Sequence, residues 1–217
     1  MTTGAGTIGA GTTGAGEGDR GVTAVGRAVW DERYRAADRL WSDEPNLFVR
    51  DRLGPLEPGT GLDLAAGEGQ NAIWLSERGW SMTAVDFSEV ASARGRERSD
   101  DVEFVVADVV GWAPGRDFSL VLIAYLHLPP EQFRGVVERA RGWLAPGGEL
   151  FLIGHDRSSF EKGCGGPQSP ELLWDVDEIR GWLDGMTLVE AQVVRRPKET
   201  EDGEAYAPDA LVRVRRG

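Results

Sequence analysis

A glycine-rich turn is the segment of this sequence with the clearest chemical potential. An apolar run beginning at Leu62 leads directly into Gly67 and Gly69. Glycines at such a turn let the backbone approach a ligand closely, and the spacing Gly67-x-Gly69-x-x-Ala72 fits the dinucleotide fingerprint G-x-G-x-x-G/A. On this spacing alone, a nicotinamide-dependent oxidoreductase remains open.

Three aspartates narrow the choice of ligand. Asp63 lies just before the glycine turn, and Asp86 and Asp108 follow the next two apolar runs. Ligands of open α/β sheets bind outside the carboxyl ends of the strands, so these carboxylates are expected to line one crevice. Because like charges repel, Asp63 disfavours a pyrophosphate and favours S-adenosylmethionine, which carries an ammonium and a sulfonium. Asp86 is placed to accept the ribose hydroxyls and Asp108 the adenine amino group, although helix capping is an alternative role for all three.

The two histidines of the chain, His127 and His155, follow the fourth and fifth predicted strands and therefore belong to the same edge. Imidazole titrates near neutrality and can remove a proton from a hydroxyl or amine. Methyl transfer from a sulfonium is nevertheless driven mainly by proximity and alignment, and soft or anionic acceptors need no base. Both histidines are therefore candidates for chemistry at the acceptor, without a base being required.

Aromatic residues precede the glycine turn at helical spacing. Trp30, Tyr34, Ala37 and Trp41 fall on one face of a predicted helix. Such a stripe is either packed into the core or placed against a ligand. Tyr34 is the preferred candidate for a ligand contact.

The elements that must position these residues alternate along the chain. Strands are predicted at Gly61–Ala65, Met82–Val85, Val102–Val106, Ser119–Ala124 and Glu149–Ile153. Helices are predicted at Leu47–Leu53, Asn71–Arg78, Glu89–Arg98, Pro130–Leu144 and Val176–Leu183. This alternation is typical of βαβ units, and it predicts a doubly wound, Rossmann-like α/β fold with a mainly parallel sheet. Two last runs, Leu188–Val194 and Ala210–Val214, flank a polar loop from Pro197 to Pro208 and predict a terminal antiparallel pair.

Length and composition favour one domain. Residues 1–26 are rich in Gly, Thr and Ala and are predicted to be a disordered tail, which leaves 27–217 as a single domain. With 24 basic and 36 acidic residues, the net charge of −12 disfavours nucleic acid and acidic membrane surfaces as partners. No signal peptide or membrane-spanning stretch is recognisable, so a cytoplasmic location is expected. The single cysteine, Cys164, allows no internal disulfide and no thiolate metal cluster, and no metal is expected.

At this point the sequence resembles the class I S-adenosylmethionine-dependent methyltransferases, from about Trp30 to the C-terminus. Four segments carry the resemblance in the family's motif order: Leu62–Asn71, Thr83–Ser88, Val106–Val109 and Leu144–Leu150. Within the family, the Gly67-Glu68-Gly69-x-Asn71 run and the aromatic helix ending near Trp41 are similar to tellurite-resistance and thiol-methylating enzymes. The resemblance implies a seven-stranded sheet whose last strand is antiparallel.

The resemblance also implies roles for individual residues. Gly67 and Gly69 would border the methionine part of the cofactor, and Ala124 and Tyr125 would stand near the sulfonium. The remaining cofactor contacts implied by the motifs and by the aromatic helix are Tyr34, Trp41, Asp63, Ala65, Asn71, Asp86, Phe87, Ser88, Asp108 and Val109. Tyr125, His127 and His155 are the candidate catalytic residues.

The resulting hypothesis is an enzyme that transfers a methyl group from S-adenosylmethionine to a small-molecule acceptor through oxygen, nitrogen, sulfur or a metalloid. It would act as a monomer or homodimer. A nicotinamide-dependent oxidoreductase and a non-catalytic cofactor-binding module are the alternatives. The acceptor itself is not encoded in the motifs, because its pocket is built from loops.

Overall fold

A seven-stranded sheet forms the centre of the computed structural model, which describes residues 26–160, 166–200 and 203–217. The strand order is β3-β2-β1-β4-β5-β7-β6. The strands are β1 (Thr60–Leu64), β2 (Ser81–Asp86), β3 (Val102–Val106), β4 (Phe118–Ala124), β5 (Leu144–His155), β6 (Thr187–Thr200) and β7 (Gly203–Arg215). β7 pairs antiparallel with both β5 and β6, whereas the pairings among β1 to β5 are parallel. The predicted doubly wound α/β fold is confirmed.

Six α-helices accompany the sheet in the described part of the chain. They are α1 (Arg27–Ala36), α2 (Leu47–Leu53), α3 (Gln70–Ser76), α4 (Glu89–Arg98), α5 (Pro130–Gly142) and α6 (Val176–Trp182). Two short 3-10 turns, Arg157–Ser159 and Pro170–Leu172, follow β5. No helix among these residues is both long enough and apolar enough to cross a bilayer.

Helices cover both faces of the sheet because the central strands are apolar on both sides. In β4, Val121 and Ile123 belong to one buried cluster with residues of α5 and α6. Leu120 and Leu122 alternate with them and belong to a second cluster with residues of α2 and α3. Successive side chains of a strand point to opposite faces, so a continuous apolar run feeds two cores at once.

The ligand crevice of such a fold opens where the strand order reverses. β1 lies between β2 and β4, so the connections that leave β1 and β4 turn to opposite sides of the sheet. Asp63 in β1 and Asp86 at the end of β2 are close to this switch point, where open α/β sheets bind their ligands.

The predicted helix through Trp41 is wrong, because α1 ends at Ala36 and Ala37 is extended. Distant side chains take over the backbone groups that a longer helix would use. The Arg94 guanidinium donates to the Ala37 carbonyl at 2.8 Å, and Glu68 accepts from the Leu40 amide at 3.3 Å. The chain after α1 is therefore held against the glycine turn and does not continue as a helix.

The predicted polar loop from Pro197 to Pro208 is also wrong. β6 and β7 continue through it as a long hairpin, with Pro197 paired to Tyr206 and Pro208 to Arg195. Pro197 lies on the edge strand β6, where one side needs no donors, and Pro208 lies in β7 just past the last residue pair with β5, His155 with Asp209. The extension brings Asp209 into β7, opposite His155 of β5. The predicted tail, residues 1–26, lies outside the described residues except for its last glycine.

Candidate active site

The turn after β1 is a cradle of backbone that side chains would fill. Ala65, Gly67 and Gly69 all have positive φ, at 56°, 58° and 79°. A Cβ atom on Gly67 would lie 2.7 Å from the Tyr34 hydroxyl oxygen. The turn therefore needs glycine at this position for its conformation and for its space.

Asp86 fixes this turn to the end of β2. One carboxylate oxygen accepts the Gly67 amide at 2.8 Å, and the other accepts the Ser88 amide at 2.8 Å. Burial raises the pKa of Asp86, although both of these hydrogen bonds act in the opposite direction. The acid predicted to bind ribose is thus a buried structural support of the turn.

Asp63 is buried without a hydrogen-bond partner. Its side chain is 1% exposed, and neither carboxylate oxygen hydrogen-bonds to any described residue. Burial and the neighbouring Asp86 raise the pKa of Asp63 to about 8; the Ala72 amide lowers it from nearby but is not in hydrogen-bonding geometry. An orphaned buried carboxylate is costly, and a cationic ligand group would remove that cost.

The third acid, Asp108, is exposed after β3 and caps a turn by accepting the Val110 amide at 2.9 Å. Two other predicted contacts also have structural partners. The Ser88 hydroxyl accepts the Ala91 amide as the N-cap of α4, and the Asn71 carbonyl oxygen accepts the Asn46 amide at 2.9 Å. These hydrogen bonds fix the loop after β3, the start of α4 and the start of α2 around the turn.

The segment containing α1 lies over the glycine turn. Tyr34 is buried, and the Trp41 indole N–H donates to its hydroxyl at 3.3 Å. Trp30 packs between them, with ring centroids 6.0 Å from Tyr34 and 6.2 Å from Trp41. Burial, with Asp86 nearby, raises the pKa of Tyr34, so this hydroxyl stays protonated. The three aromatic side chains therefore pack together over the turn, and the Tyr34 hydroxyl lies against Gly67.

Glu68 of the glycine turn and Arg94 of α4 bind the backbone of the segment after α1, and neither was predicted as a site residue from the sequence. Glu68 is 3% exposed and pairs with Arg94 at 3.1 Å. A charged residue between two glycines of a buried turn is the sequence signal that points to Glu68. The position of Arg94, on the weakly amphipathic α4, carries no comparable signal.

The candidate catalytic residues Tyr125, His127 and His155 do come together. The ring centroids of Tyr125 and His155 lie 4.8 Å apart. The two imidazoles stack 5.1 Å apart with an interplanar angle of 6°. Tyr125 has a positive φ of 56°, a strained conformation at the carboxyl end of β4.

His127 is held as a neutral ring. Its Nδ1 lies 2.8 Å from the Leu172 carbonyl oxygen, which can only accept, so Nδ1 carries the proton. Its Nε2 is buried and has no hydrogen-bond partner among the described residues. Burial and the adjacent His155 lower the pKa of His127 to about 4.

Asp209 is the main site residue that the sequence analysis missed. It is fully buried in β7 and accepts three hydrogen bonds, from the Tyr125 hydroxyl at 2.7 Å, Arg196 Nε at 2.8 Å and His155 Nδ1 at 3.2 Å. Burial would raise its pKa, but these three donors outweigh burial and lower the pKa of Asp209. The available signal was an acid that directly precedes the apolar run from Ala210.

A chain of hydrogen bonds joins the two parts of the site. Asn46 donates its amide N–H to Asn71 of α3, and its side-chain NH₂ donates to the Tyr125 hydroxyl at 3.2 Å. Tyr125 in turn donates to Asp209. No group of three or more His, Cys, Asp or Glu side chains in the described segments is arranged to hold a metal ion.

Known proteins share sequence and fold with this chain. A family model described as a methyltransferase domain matches residues 62–148. A 2-heptyl-1-hydroxyquinolin-4(1H)-one methyltransferase from Mycobacteroides abscessus is 28% identical over 164 residues, which cover 66% of this chain and 72% of the relative. The matched family segment contains the glycine turn and all three aspartates.

Solved structures match the fold at lower identity. TehB from Haemophilus influenzae has a TM-score of 0.68 at 16% identity, over 86% of this chain and 66% of TehB. The N-methyltransferase NodS from Bradyrhizobium japonicum, solved with S-adenosyl-L-homocysteine, has a TM-score of 0.64 at 20% identity, over 86% of this chain and 96% of NodS. These structures share the architecture described above.

The environment of Asp63 predicts a stabilising substitution. Its folded pKa of about 8 exceeds the ordinary value, so the unliganded protein loses stability as pH rises from about 4 to about 8. Asp63→Asn removes this titration, so its free energy of unfolding should exceed that of the wild type increasingly between about pH 5 and 8. Urea unfolding across this range measures the difference. Asp156→Asn is the control, because Asp156 is buried but hydrogen-bonded to Ser158, and it should gain no stability.

The environment of His127 predicts an unusual titration. With a folded pKa of about 4, its ring should stay neutral in NMR spectra at about pH 5, where an ordinary histidine is charged. The unfolded chain binds this proton first, so the folded state loses stability as pH falls from about 6.5 towards 4. His127→Gln should lose less over that interval. A midpoint near 6.5 for His127 would contradict the buried, neutral assignment.

Proposed function

We infer that this chain, a member of the class I S-adenosylmethionine-dependent methyltransferase family, transfers a methyl group from that cofactor to a small-molecule acceptor. The observation that carries this inference is the buried Asp63 carboxyl group, which has no hydrogen-bond partner among the described residues and lies beside a glycine turn that closely approaches Tyr34. The cofactor offers that carboxylate an ammonium group. The relative from Mycobacteroides abscessus is named for a hydroxyquinolinone, which supports a small organic acceptor.

The residues of the crevice fit the parts of the cofactor. Asp63 would attract its ammonium, and the backbone of Gly67 and Gly69 would border its methionine part. Asp86 retains acceptor capacity beyond its two amide hydrogen bonds and would receive the ribose hydroxyls. Asp108, exposed at the end of β3, would receive the adenine amino group. When bound, the cofactor supplies an electrophilic methyl carbon attached to sulfur.

The acceptor would be placed beside Ala124 and Tyr125, at the end of β4. His127 and His155 stack at the same edge of the sheet. Their rings would form one wall of the acceptor pocket. Proximity and alignment of the two reactants are the main source of rate acceleration in such a transfer.

The rival binding mode places a dinucleotide pyrophosphate against the glycine turn. That placement would bring phosphate charge next to Asp63 and Asp86, which already share a buried environment. A phosphate would disfavour the ionised form of both acids, whereas a cationic cofactor would favour it. The non-catalytic alternative leaves the paired histidines and Asp209 without a role.

The proposal also covers the domain extent, the cellular location and the oligomeric state. Length supports a single domain over 27–217, composition supports an N-terminal tail before it, and a single cysteine supports a cytoplasmic location. A monomer or homodimer is proposed with them. The net charge of −12 supports a small-molecule acceptor over a nucleic acid.

Calorimetry with S-adenosylhomocysteine tests the proposed cradle. Gly67→Ala places a methyl group at the Tyr34 hydroxyl and should weaken binding at least about tenfold, a change of about 1.4 kcal/mol. Gly147→Ala is the matched control, because Gly147 also has positive φ, at 77°, but has open space around its Cβ position. The control should lose similar backbone stability and retain wild-type affinity.

Two results would count against this function. Equal affinity in both glycine variants would mean that the turn is not the cofactor site. Protection of the wild type from heat by NAD, with none from S-adenosylhomocysteine, would favour the oxidoreductase instead.

A further inference from the structure

We propose that Asp209 orients His155 as the base of a hydroxyl methyltransferase, so that the acceptor is a small molecule with a weakly acidic hydroxyl, such as a phenol or an N-hydroxy compound. This inference rests on the proposed function and adds the acceptor class to it. It assigns Asp209 as a positioning residue and His155 as the catalytic residue.

The contact between Asp209 and His155 determines which ring nitrogen is available. A carboxylate can only accept, so the 3.2 Å contact requires the proton of the neutral ring on Nδ1. Nε2 of His155 then carries the lone pair, and no residue in the described part of the chain donates a hydrogen bond to it. The His155 side chain is 17% exposed, whereas Asp209 behind it is fully buried.

The other contacts of Asp209 prevent it from turning away. Arg196 and the Tyr125 hydroxyl both bind its second oxygen, at 2.8 Å and 2.7 Å. They leave the first oxygen for His155, and Arg196 also balances the carboxylate charge. These donors keep Asp209 ionised, in agreement with its lowered pKa. A buried carboxylate with three donors is a pre-organised support for an imidazolium that forms during the reaction.

The neighbouring groups are poor bases by comparison. Tyr125 donates its proton to Asp209, and its burial beside that carboxylate raises its pKa. His127 has its pKa lowered to about 4, so it binds a proton weakly at neutral pH. Among the described residues, the titratable groups around His155 are Asp209 from β7, Arg196 beyond Asp209 from β6, and Tyr125 and His127 after β4. The backbone of Gly166 closes the ring's other side, since a Cβ there would lie 2.5 Å from His155 Cδ2.

This arrangement is useful only for an acceptor that must lose a proton. Thiolates and oxyanions are already nucleophilic, whereas a hydroxyl gains about 10²–10⁴-fold from a positioned base. The hydroxyl proton moves to His155 Nε2 as the acceptor oxygen bonds to the methyl carbon, whose bond to sulfur breaks with its electron pair left on sulfur. His155 then releases the proton to water, and Asp209 stays ionised throughout.

Nitrogen NMR of histidine-labelled protein tests the orientation without any turnover. The chain has two histidines, so His127→Gln leaves the His155 signals alone for assignment. The neutral His155 ring should carry its proton on Nδ1 in this background. Adding Asp209→Asn should shift the tautomer towards Nε2–H, whereas Asp156→Asn, which alters a buried acid bonded to Ser158, should not. An Nε2–H tautomer in the presence of Asp209 would overturn the proposal.

Turnover with probe acceptors tests the substrate class. The probe acceptors are 2-heptyl-1-hydroxyquinolin-4(1H)-one, phenol, 4-nitrophenol and thiophenol, all assayed at one pH near 8. Asp209→Asn and His155→Gln should lower the rate of phenol methylation by about 100-fold, because the phenol hydroxyl stays largely unionised at this pH. The affinity for S-adenosylhomocysteine should stay unchanged within about twofold. The loss should fall below about tenfold on 4-nitrophenol and thiophenol, which ionise without help, and free imidazole should restore part of the rate of His155→Ala.

The outcomes distinguish a failure of the proposed base and acceptor class from a failure of the methyltransferase function. Equal losses on all four probes, or methylation of thiophenol alone, would overturn the base and the hydroxyl class while leaving the methyltransferase function in place. Absence of S-adenosylhomocysteine binding in the wild type would refute the function itself. If Asp209→Asn does not fold, His155→Gln carries the same comparison, because its side chain is at the surface end of the pair.

Discussion

The cost of holding a carboxylate out of water governs both halves of this site. A buried carboxylate must be protonated, paired with a cation or surrounded by donors. Asp63 has neither a cation nor a hydrogen-bond donor among the described residues, and burial together with Asp86 raises its pKa to about 8. Asp209 has three donors, and its pKa is lowered. The same side chain is thus left open for a cationic ligand at one position and completed as a support for a neighbouring ring at the other.

The topology of the sheet explains why these two environments lie on one edge. Asp63 and Asp86 sit at the carboxyl side of parallel strands, next to the switch point between β1 and β4. β7 runs in the opposite direction, so its amino-terminal part reaches the same edge and pairs Asp209 with His155. An all-parallel sheet would place the start of its last strand at the far edge. The antiparallel strand therefore supplies a buried acid where the parallel strands supply histidines and tyrosine.

Features with local causes could be predicted from the sequence, and features with distant causes could not. α4 and β3 have their predicted bounds, and the glycine turn and its acids are where their spacing placed them. The end of α1 was missed because Arg94 and Glu68, from later in the chain, bind the backbone there. The length of the β6–β7 hairpin does not follow from the sequence, because Pro197 and Pro208 predict breaks that strand pairing overrides. Because the predicted strand begins at Ala210, the sequence does not predict that Asp209 lies in β7 opposite His155.

Hydrogen bonds through Asn46 connect the proposed cofactor site to the proposed acceptor site. Asn46 begins α2, and its carbonyl oxygen already accepts two amides of that helix, so its NH₂ group has a fixed direction towards Tyr125. Its backbone N–H is held by Asn71, on the helix that follows the glycine turn. Three hydrogen bonds of 2.9, 3.2 and 2.7 Å therefore connect the helix after the turn to Tyr125 and Asp209. The proposed acceptor pocket at His155 and the proposed cofactor turn at Gly67 are thus joined by one path of hydrogen bonds.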